Sequence, residues 1–127
     1  MRNIAVLGCG QWGKNLVRNF AELGVLRAIC DSDSAKLASL RDRFPEVTLS
    51  GSFAEVLRDD KVAGVVIATP AGSHYALAKE ALLAGKDVFV EKPLALKVSE
   101  GRELVELASK KGRVLWLATS SDTIPPS

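Results

Sequence analysis

The fold is decided near the N-terminus by the ten residues Ile4-Ala5-Val6-Leu7-Gly8-Cys9-Gly10-Gln11-Trp12-Gly13. Four apolar residues in a row predict a short buried strand, which ends at the first glycine. Apolar residues then recur at helical spacing up to position 20, so the glycines lie between a strand and a helix. The stretch therefore predicts a strand, a tight glycine-rich turn, and a helix that begins within that turn.

The same alternation of apolar runs and helical patterns continues along the chain. Further strands are predicted at residues 25–30, 47–49, 64–68, 88–90 and 114–117, each within a mainly apolar run. Strands of this kind are covered on both faces, and helical connections between them make a sheet parallel with right-handed crossovers. The predicted fold class is α/β: a doubly wound parallel sheet of about six strands in the order 3-2-1-4-5-6.

Helix boundaries are predicted from capping residues. Ser52, with Glu55 three residues later, predicts a capping box, and Ser73 is expected to cap a helix that runs to residue 84. Ser99 is expected to begin the last helix, which Gly112 ends. The side chains of that helix predicted to face the core are Leu104, Val105, Leu107 and Ala108.

Composition excludes several classes of function. The 127 residues contain 17 Lys and Arg against 15 Asp and Glu, and a net charge of +2 does not predict a nucleic-acid or anionic-membrane surface. The longest mostly apolar stretch, residues 62–71, is well short of the ~20 residues that span a bilayer. One histidine and two distant cysteines do not predict a zinc site. Unpaired cysteines in apolar runs fit a reducing compartment, so we expect a cytoplasmic protein.

Each glycine of the G-x-G-x-x-G spacing has an expected role in a dinucleotide-binding turn. Gly8 would make the tight turn, Gly10 would let the backbone approach a pyrophosphate, and Gly13 would let helix and strand pack closely. Amides at the helix start, from Gln11 onward, would hold the phosphates. Trp12 either packs within the first helix or lines the phosphate site. The alternative is a glycine-rich turn that binds no ligand.

Asp31 follows the second predicted strand, eighteen residues after Gly13. An acidic residue about 20 residues past the glycines holds the ribose hydroxyls of NAD. A carboxylate there would repel the extra phosphate of NADP, and no arginine follows in Asp31-Ser32-Asp33, so NAD is the expected cofactor and NADP is disfavoured. The alternative is that Asp31 caps the second helix, which Asp33 or Ser34 could do instead.

Two more polar segments follow strands at the edge where such sheets bind ligands. Thr69, Pro70 and His74 follow the fourth strand, and Glu91 and Lys92 follow the fifth. A lysine in this cleft could act as an acid or base or stabilise an alkoxide, although a surface lysine before a turn proline is an equal alternative. His74 is either a buried residue at a helix start or part of the cleft.

The two cysteines are interpreted as packing residues. Cys9 and Cys30 lie at strand ends, and neither has a basic neighbour in sequence that would favour a reactive thiolate. We therefore expect no catalytic thiol in this chain.

The chain resembles the glucose–fructose oxidoreductase/inositol dehydrogenase (Gfo/Idh/MocA) family over nearly all of residues 1–118. The segments that carry the resemblance are Gly8-Cys9-Gly10-Gln11-Trp12-Gly13, Ala68-Thr69-Pro70 with His74, Gly85-Lys86-Asp87-Val88, and Glu91-Lys92-Pro93. The form Trp12-Gly13-Lys14-Asn15 is similar to members that act on nucleotide sugars, such as UDP-N-acetylglucosaminuronate 3-dehydrogenases. The resemblance implies an NAD(P)-binding Rossmann domain followed by a substrate-binding domain that often builds the oligomer. It also implies hydride transfer between nicotinamide and a carbon of a sugar or polyol.

The resemblance further implies roles for individual residues. Thr69 and Pro70 would lie along the cofactor, with His74 nearby. Glu91 and Lys92 would be close to the nicotinamide ribose. Lys92 would also touch the reacting hydroxyl, which makes it the expected catalytic residue.

The chain departs from the family in length, because members run to several hundred residues. We expect residues 1–118 to form the cofactor-binding domain and residues 119–127 an irregular tail, with the second domain absent. Such a chain would bind NAD but would not turn over substrate by itself, since hydride transfer needs both reactants fixed and water excluded.

The alternative functions are a non-catalytic nucleotide-binding module, an S-adenosylmethionine methyltransferase and an inactive remnant. Apolar surface left exposed without a second domain also predicts a homo-oligomer.

Overall fold

The computed structural model describes residues 2–8, 11–91 and 94–118, in which strands and helices alternate. The predicted tail, residues 119–127, lies outside these ranges. The strands are β1 (Ile4–Leu7), β2 (Leu26–Cys30), β3 (Thr48–Ser50), β4 (Gly64–Ile67), β5 (Asp87–Glu91) and β6 (Leu115–Ala118). The helices are α1 (Gln11–Glu22), α2 (Ser34–Arg41), α3 (Phe53–Arg58), α4 (His74–Leu83) and α5 (Val98–Lys111). A 3-10 turn, Ala71–Ser73, precedes α4.

All neighbouring strands are parallel, and their order is β3-β2-β1-β4-β5-β6. The predicted order is therefore confirmed. Leu7, the last residue of β1, is level with Cys30 in β2 and with Ile67 in β4. The segments that leave these three strands consequently start from one edge of the sheet.

The sheet is covered on both faces, as the apolar runs predict. Val6 and Ile29 pack with α1 and α2 on one face, whereas the alternate residues Ala5 and Leu7 belong to the core on the other face. That second core also includes residues of α3, α4 and α5. β1 lies at the centre of the sheet and is almost completely buried.

Two predictions about α5 are wrong. The helix begins at Val98 after Lys97, not at Ser99, and Lys97 makes no side-chain cap. Leu104 and Ala108 are buried, but Val105 is 57% exposed. Leu104 and Ala108 are four residues apart and share a face, whereas Val105 is turned about 100° away from Leu104 by the 3.6-residue helical repeat. Gly112 ends the helix in the left-handed region (φ 66°), as predicted.

The cap of α3 is confirmed, although it is not a simple capping box. Ser52 Oγ accepts a hydrogen bond from Glu55 N–H (3.3 Å). The reciprocal bond runs through Ser50, because Ser52 N–H donates to Ser50 Oγ (3.0 Å), which lies 3.1 Å from Glu55 Oε2. The hydroxyl of Ser50 thus links the end of β3 to the first turn of α3.

The amino edge of the sheet is held by a cluster around Asp59. Arg27 Nε donates to Asp59 Oδ2 (2.6 Å), and the buried Lys86 donates through Nζ to Asp59 O (2.9 Å). Asp59 Oδ1 also accepts from Lys61 N–H (3.0 Å). The hydrogen bond from Arg27, followed by that from the Lys61 backbone, lowers the pKa of Asp59 below its ordinary value of 3.8.

A lowered pKa in the folded state predicts how Asp59→Asn changes stability with pH. The charged form stabilises the fold above the unfolded pKa, and this contribution is lost as the pH falls through the folded pKa. Asp59→Asn should lower the free energy of unfolding at neutral pH by about 1 kcal/mol or less, as for partly exposed ion pairs. The difference from wild type should shrink below about pH 4. Urea unfolding followed by circular dichroism at several pH values measures it.

Asp60→Asn is the matched control because Asp60 is the exposed neighbouring carboxylate. Asp59→Asn removes only the charge, because the asparagine side-chain oxygen can still accept from Lys61 N–H and the backbone carbonyl that Lys86 binds is unchanged. A loss of stability that is independent of pH, or equal in the two variants, would contradict the role of the Arg27–Asp59 pair.

Candidate functional site

The turn after β1 requires glycine at position 8. Gly8 has φ +97°, and its N–H donates to Cys30 O (2.7 Å). A Cβ at this position would lie 2.7 Å from Ala68 O and 3.1 Å from Thr69 Cγ2. Any side chain would therefore be strained and would also collide with the segment that leaves β4.

Gly13 lets α1 pack directly on this turn. A Cβ on Gly13 would overlap Gly8 O and would lie 3.0 Å from Gly8 C and 3.3 Å from Ala68 Cβ. The close packing expected of the third glycine is thus observed. Gln11 begins α1 and Trp12 follows it, but the predictions for their side chains, like those for Cys9 and Gly10, lie outside the described residues.

A cleft of about 750 Å³ opens over the carboxyl ends of β1, β2 and β4. This volume is within the range of about 300–1,000 Å³ that is typical of small-molecule sites. The cleft brings together four residues predicted from the sequence: Gly8, Asp31, Thr69 and Pro70. Its other lining residues are Leu7, Cys30, Ser32, Asp33, Lys36, Gly51, Phe53, Ala68 and Leu77.

One wall of the cleft is the connection from β2 to α2. Asp33, not Asp31, caps α2, because Asp33 Oδ1 accepts from Ala35 N–H (3.0 Å) and Lys36 N–H (3.4 Å). Asp31 Oδ1 in turn accepts from Asp33 N–H (2.8 Å), which orients its carboxylate. Lys36, which also lines the cleft, was not predicted from the sequence, although its place in the first turn after the cap was a usable signal.

The opposite wall is the segment between β4 and α4. Ser73 precedes α4 at the N-cap position, as predicted, but its side chain does not cap the helix. Its Oγ instead donates to Pro70 O (2.7 Å) and lies 2.6 Å from Thr69 Oγ1. His74 is 3% exposed, and its Nε2 is 2.8 Å from Thr69 O. His74 therefore lies behind Thr69 and is not part of the cleft lining.

Cys30 lies in the cleft but is unsuited to nucleophilic chemistry. Burial, together with the nearby charges of Asp31 and Glu55, raises the pKa of its thiol to about 11. The thiol is therefore protonated at neutral pH, which agrees with its interpretation as a packing residue.

Glu91 is not placed in the cleft by the structure. Glu91 is the half-buried last residue of β5 and is level with Ala118 of β6. It is not part of the cleft lining. The prediction for Lys92 lies outside the described residues, as does Pro93.

Residues 2–8, 11–91 and 94–118 contain no group of three His, Cys, Asp or Glu side chains that could hold a metal ion. In the same part of the chain, no helix has the length and apolar character needed to cross a membrane.

Residues 2–119 match the family described as "Oxidoreductase family, NAD-binding Rossmann fold", whose members are the Gfo/Idh/MocA proteins. The chain belongs to this family. The resemblance predicted from the motifs is confirmed, and so is the Rossmann-type doubly wound sheet.

Three relatives illustrate the match. "Glycosyl hydrolase family 109 protein 2" of Shewanella sp. (strain ANA-3) is 38% identical over 117 residues, which cover 83% of this chain and 25% of that protein. The structure of the WlbA dehydrogenase from Bordetella pertussis, in complex with NADH and UDP-GlcNAcA, matches with a TM-score of 0.84 at 28% identity. Biliverdin reductase from Synechocystis sp. PCC 6803, in complex with biliverdin and NADP+, matches with a TM-score of 0.83 at 31% identity.

These relatives are considerably longer than this chain. The match to WlbA covers 92% of this chain and 37% of that one, and the match to biliverdin reductase covers 91% and 37%. The chain thus spans about a quarter of the Shewanella protein and somewhat over a third of each solved structure.

The contact between Gly13 and Gly8 predicts the effect of Gly13→Ala. Overlap of the new methyl group with the Gly8 carbonyl should force the turn and α1 apart and lower the free energy of unfolding by about 1–3 kcal/mol. Gly72→Ala is the control, because a Cβ there has nothing within 4 Å. It should change stability by less than about 0.5 kcal/mol. Equal urea midpoints for the two variants would show that the close packing does not constrain the fold.

Proposed function

We propose that this chain is the cofactor-binding part of an oxidoreductase. The enzyme would transfer hydride between NAD and a hydroxyl-bearing carbon of a sugar, nucleotide sugar or polyol. The observation that carries the proposal is the cleft over β1, β2 and β4, where the Gly8 turn, Asp31 and Thr69 line one space. In a doubly wound sheet, this is the edge at which dinucleotides bind.

The pyrophosphate is proposed to bind at the start of α1. The first amides of a helix have no intrahelical acceptor, and the helix dipole favours an anion there. Gly8 presents no side chain on the approach, and α1 begins at Gln11, three residues later. Gly10 would allow the phosphates to approach the backbone closely.

Asp31 is proposed to accept hydrogen bonds from the adenosine ribose hydroxyls. Its carboxylate lies in the cleft, and its hydrogen bond from Asp33 N–H fixes its orientation. A 2′-phosphate would meet the negative charges of Asp31 and Asp33, which the positive charge of Lys36 only partly offsets. This balance of charge supports NAD over NADP.

Lys92 is proposed as the acid–base residue of the complete reaction. When a substrate alcohol is oxidised, the hydride would leave carbon for the nicotinamide, and the hydroxyl proton would pass to the neutral lysine amine. Thr69, Pro70, His74 and Glu91 would border or support the nicotinamide half. A sugar-type substrate is supported by the WlbA relative, whose complex contains UDP-GlcNAcA.

Isothermal titration of the purified chain with NADH, NADPH and S-adenosylmethionine tests the proposal. We expect saturable binding of one NADH per chain, weaker binding of NADPH and no binding of S-adenosylmethionine. Without a substrate-binding partner, the chain should show no turnover with nucleotide sugars. A folded chain that binds neither dinucleotide, or that prefers S-adenosylmethionine, would refute the proposal.

Asp31→Arg tests the preference for NAD. Loss of the carboxylate and gain of a guanidinium able to pair with phosphate should lower the ratio of the NADPH Kd to the NADH Kd by at least about tenfold. Asp60→Arg makes the same change in charge on an exposed residue just before β4, at the opposite edge of the sheet, and should leave the ratio unchanged. An unchanged ratio in Asp31→Arg would remove Asp31 from ribose recognition.

A further inference from the structure

The segment from Thr69 to Ser73, on one wall of the cleft, is held by hydrogen bonds between its own hydroxyl and carbonyl groups. Ser73 Oγ lies 2.6 Å from Thr69 Oγ1 and 2.7 Å from Pro70 O. Ser73 N–H also donates to Pro70 O (3.0 Å). Both hydroxyls are thus engaged within the protein.

Counting protons fixes the direction of these bonds. A hydroxyl carries one hydrogen, and a carbonyl oxygen can only accept. The hydrogen of Ser73 is therefore used on Pro70 O, so Thr69 must be the donor to Ser73 Oγ. The opposite assignment would place the lone pairs of Ser73 Oγ and Pro70 O 2.7 Å apart with no proton between them.

The main chain of Thr69 is fixed as well. His74 Nε2 is 2.8 Å from Thr69 O, and because a carbonyl accepts, Nε2 carries the proton of this bond. His74 is 3% exposed, so water hardly competes for the contact. On its other side, the methyl carbon of Thr69 lies 3.1 Å from the position a Cβ on Gly8 would occupy.

We infer that Thr69 is a specificity residue whose hydroxyl oxygen offers only lone pairs to the ligand, and that Ser73 is the positioning residue that imposes this. The inference rests on the proposed function. Thr69 would accept from an O–H or N–H donor of the dinucleotide, either a ribose hydroxyl or the nicotinamide carboxamide. It would not bind a pyrophosphate oxygen, which offers no proton at neutral pH.

Thr69→Val tests the acceptor role, with NADH and ADP-ribose as probes in isothermal titration. Loss of one hydrogen bond should raise the NADH Kd about threefold to tenfold. Thr69→Ser, which keeps the hydroxyl, should stay within about twofold of wild type. An equal loss for ADP-ribose would identify a ribose hydroxyl as the donor, and a loss confined to NADH would identify the carboxamide.

Ser73→Ala tests the positioning role through a double-mutant cycle. Alone it should raise the NADH Kd about twofold to fivefold, because Thr69 Oγ1 loses its acceptor and its fixed orientation. In the Thr69→Val background, Ser73→Ala should have no further effect, since Ser73 acts through the Thr69 hydroxyl. Ser73→Thr, which retains a hydroxyl, provides the conservative variant if the alanine variant does not fold, and it should bind NADH like wild type.

The outcomes separate this inference from the proposed function. If the wild-type chain binds NADH and Thr69→Val binds it equally tightly, the inference is wrong and the proposed function stands. Equal effects of Ser73→Ala in both backgrounds would likewise overturn the positioning role. If the folded wild-type chain binds neither NADH nor ADP-ribose, the proposed function fails and the inference fails with it.

Discussion

The lack of a side chain at Gly8 and at Gly13, where α1 packs on the end of β1, is the constraint on which the rest of the site depends. Gly13 packs against the carbonyl of Gly8, and Gly8 in turn packs against Ala68 and Thr69 at the end of β4. A methyl group at either glycine would push apart the helix start, the turn and the β4 segment. The cleft has its shape because these three pieces of backbone are in direct contact.

The register of the sheet brings distant residues to this contact. Leu7 is level with Cys30 and Ile67, so the segments leaving β1, β2 and β4 begin side by side. Asp31 and Thr69 are far apart in sequence, yet each follows its strand by one or two residues, and both line the cleft. Burial of β1 between two helical layers makes this register difficult to change, because a one-residue shift would move each side chain into the core on the opposite face, which is packed for different residues.

The strand order and four of the residues that line the cleft could be predicted from the sequence, because both depend on strong patterns. Apolar runs separated by helical spacing specify parallel strands, and the glycine spacing specifies the turn. The choice of a polar side chain between alternative local hydrogen-bond partners was harder to predict. Ser73 could cap α4 or bind its own loop, and its hydroxyl bonds to Pro70 O instead. Lys36 lies in the first turn of α2, and the Asp33 cap sets where that turn begins. Only one face of α5 is buried, so Val105 stays outside the core, and composition does not show which face that is.

The Asp59 cluster and the cleft lie at opposite edges of the sheet. Arg27 and Lys86 tie the amino edge together through Asp59, whereas the cleft opens at the carboxyl edge. Strands of four or five residues separate these edges by about 13–17 Å, and substitutions that far apart usually have additive effects. Substitutions that stabilise the fold at the amino edge should therefore leave the cleft at the carboxyl edge unchanged. This separation makes the domain a practical scaffold for altering cofactor choice.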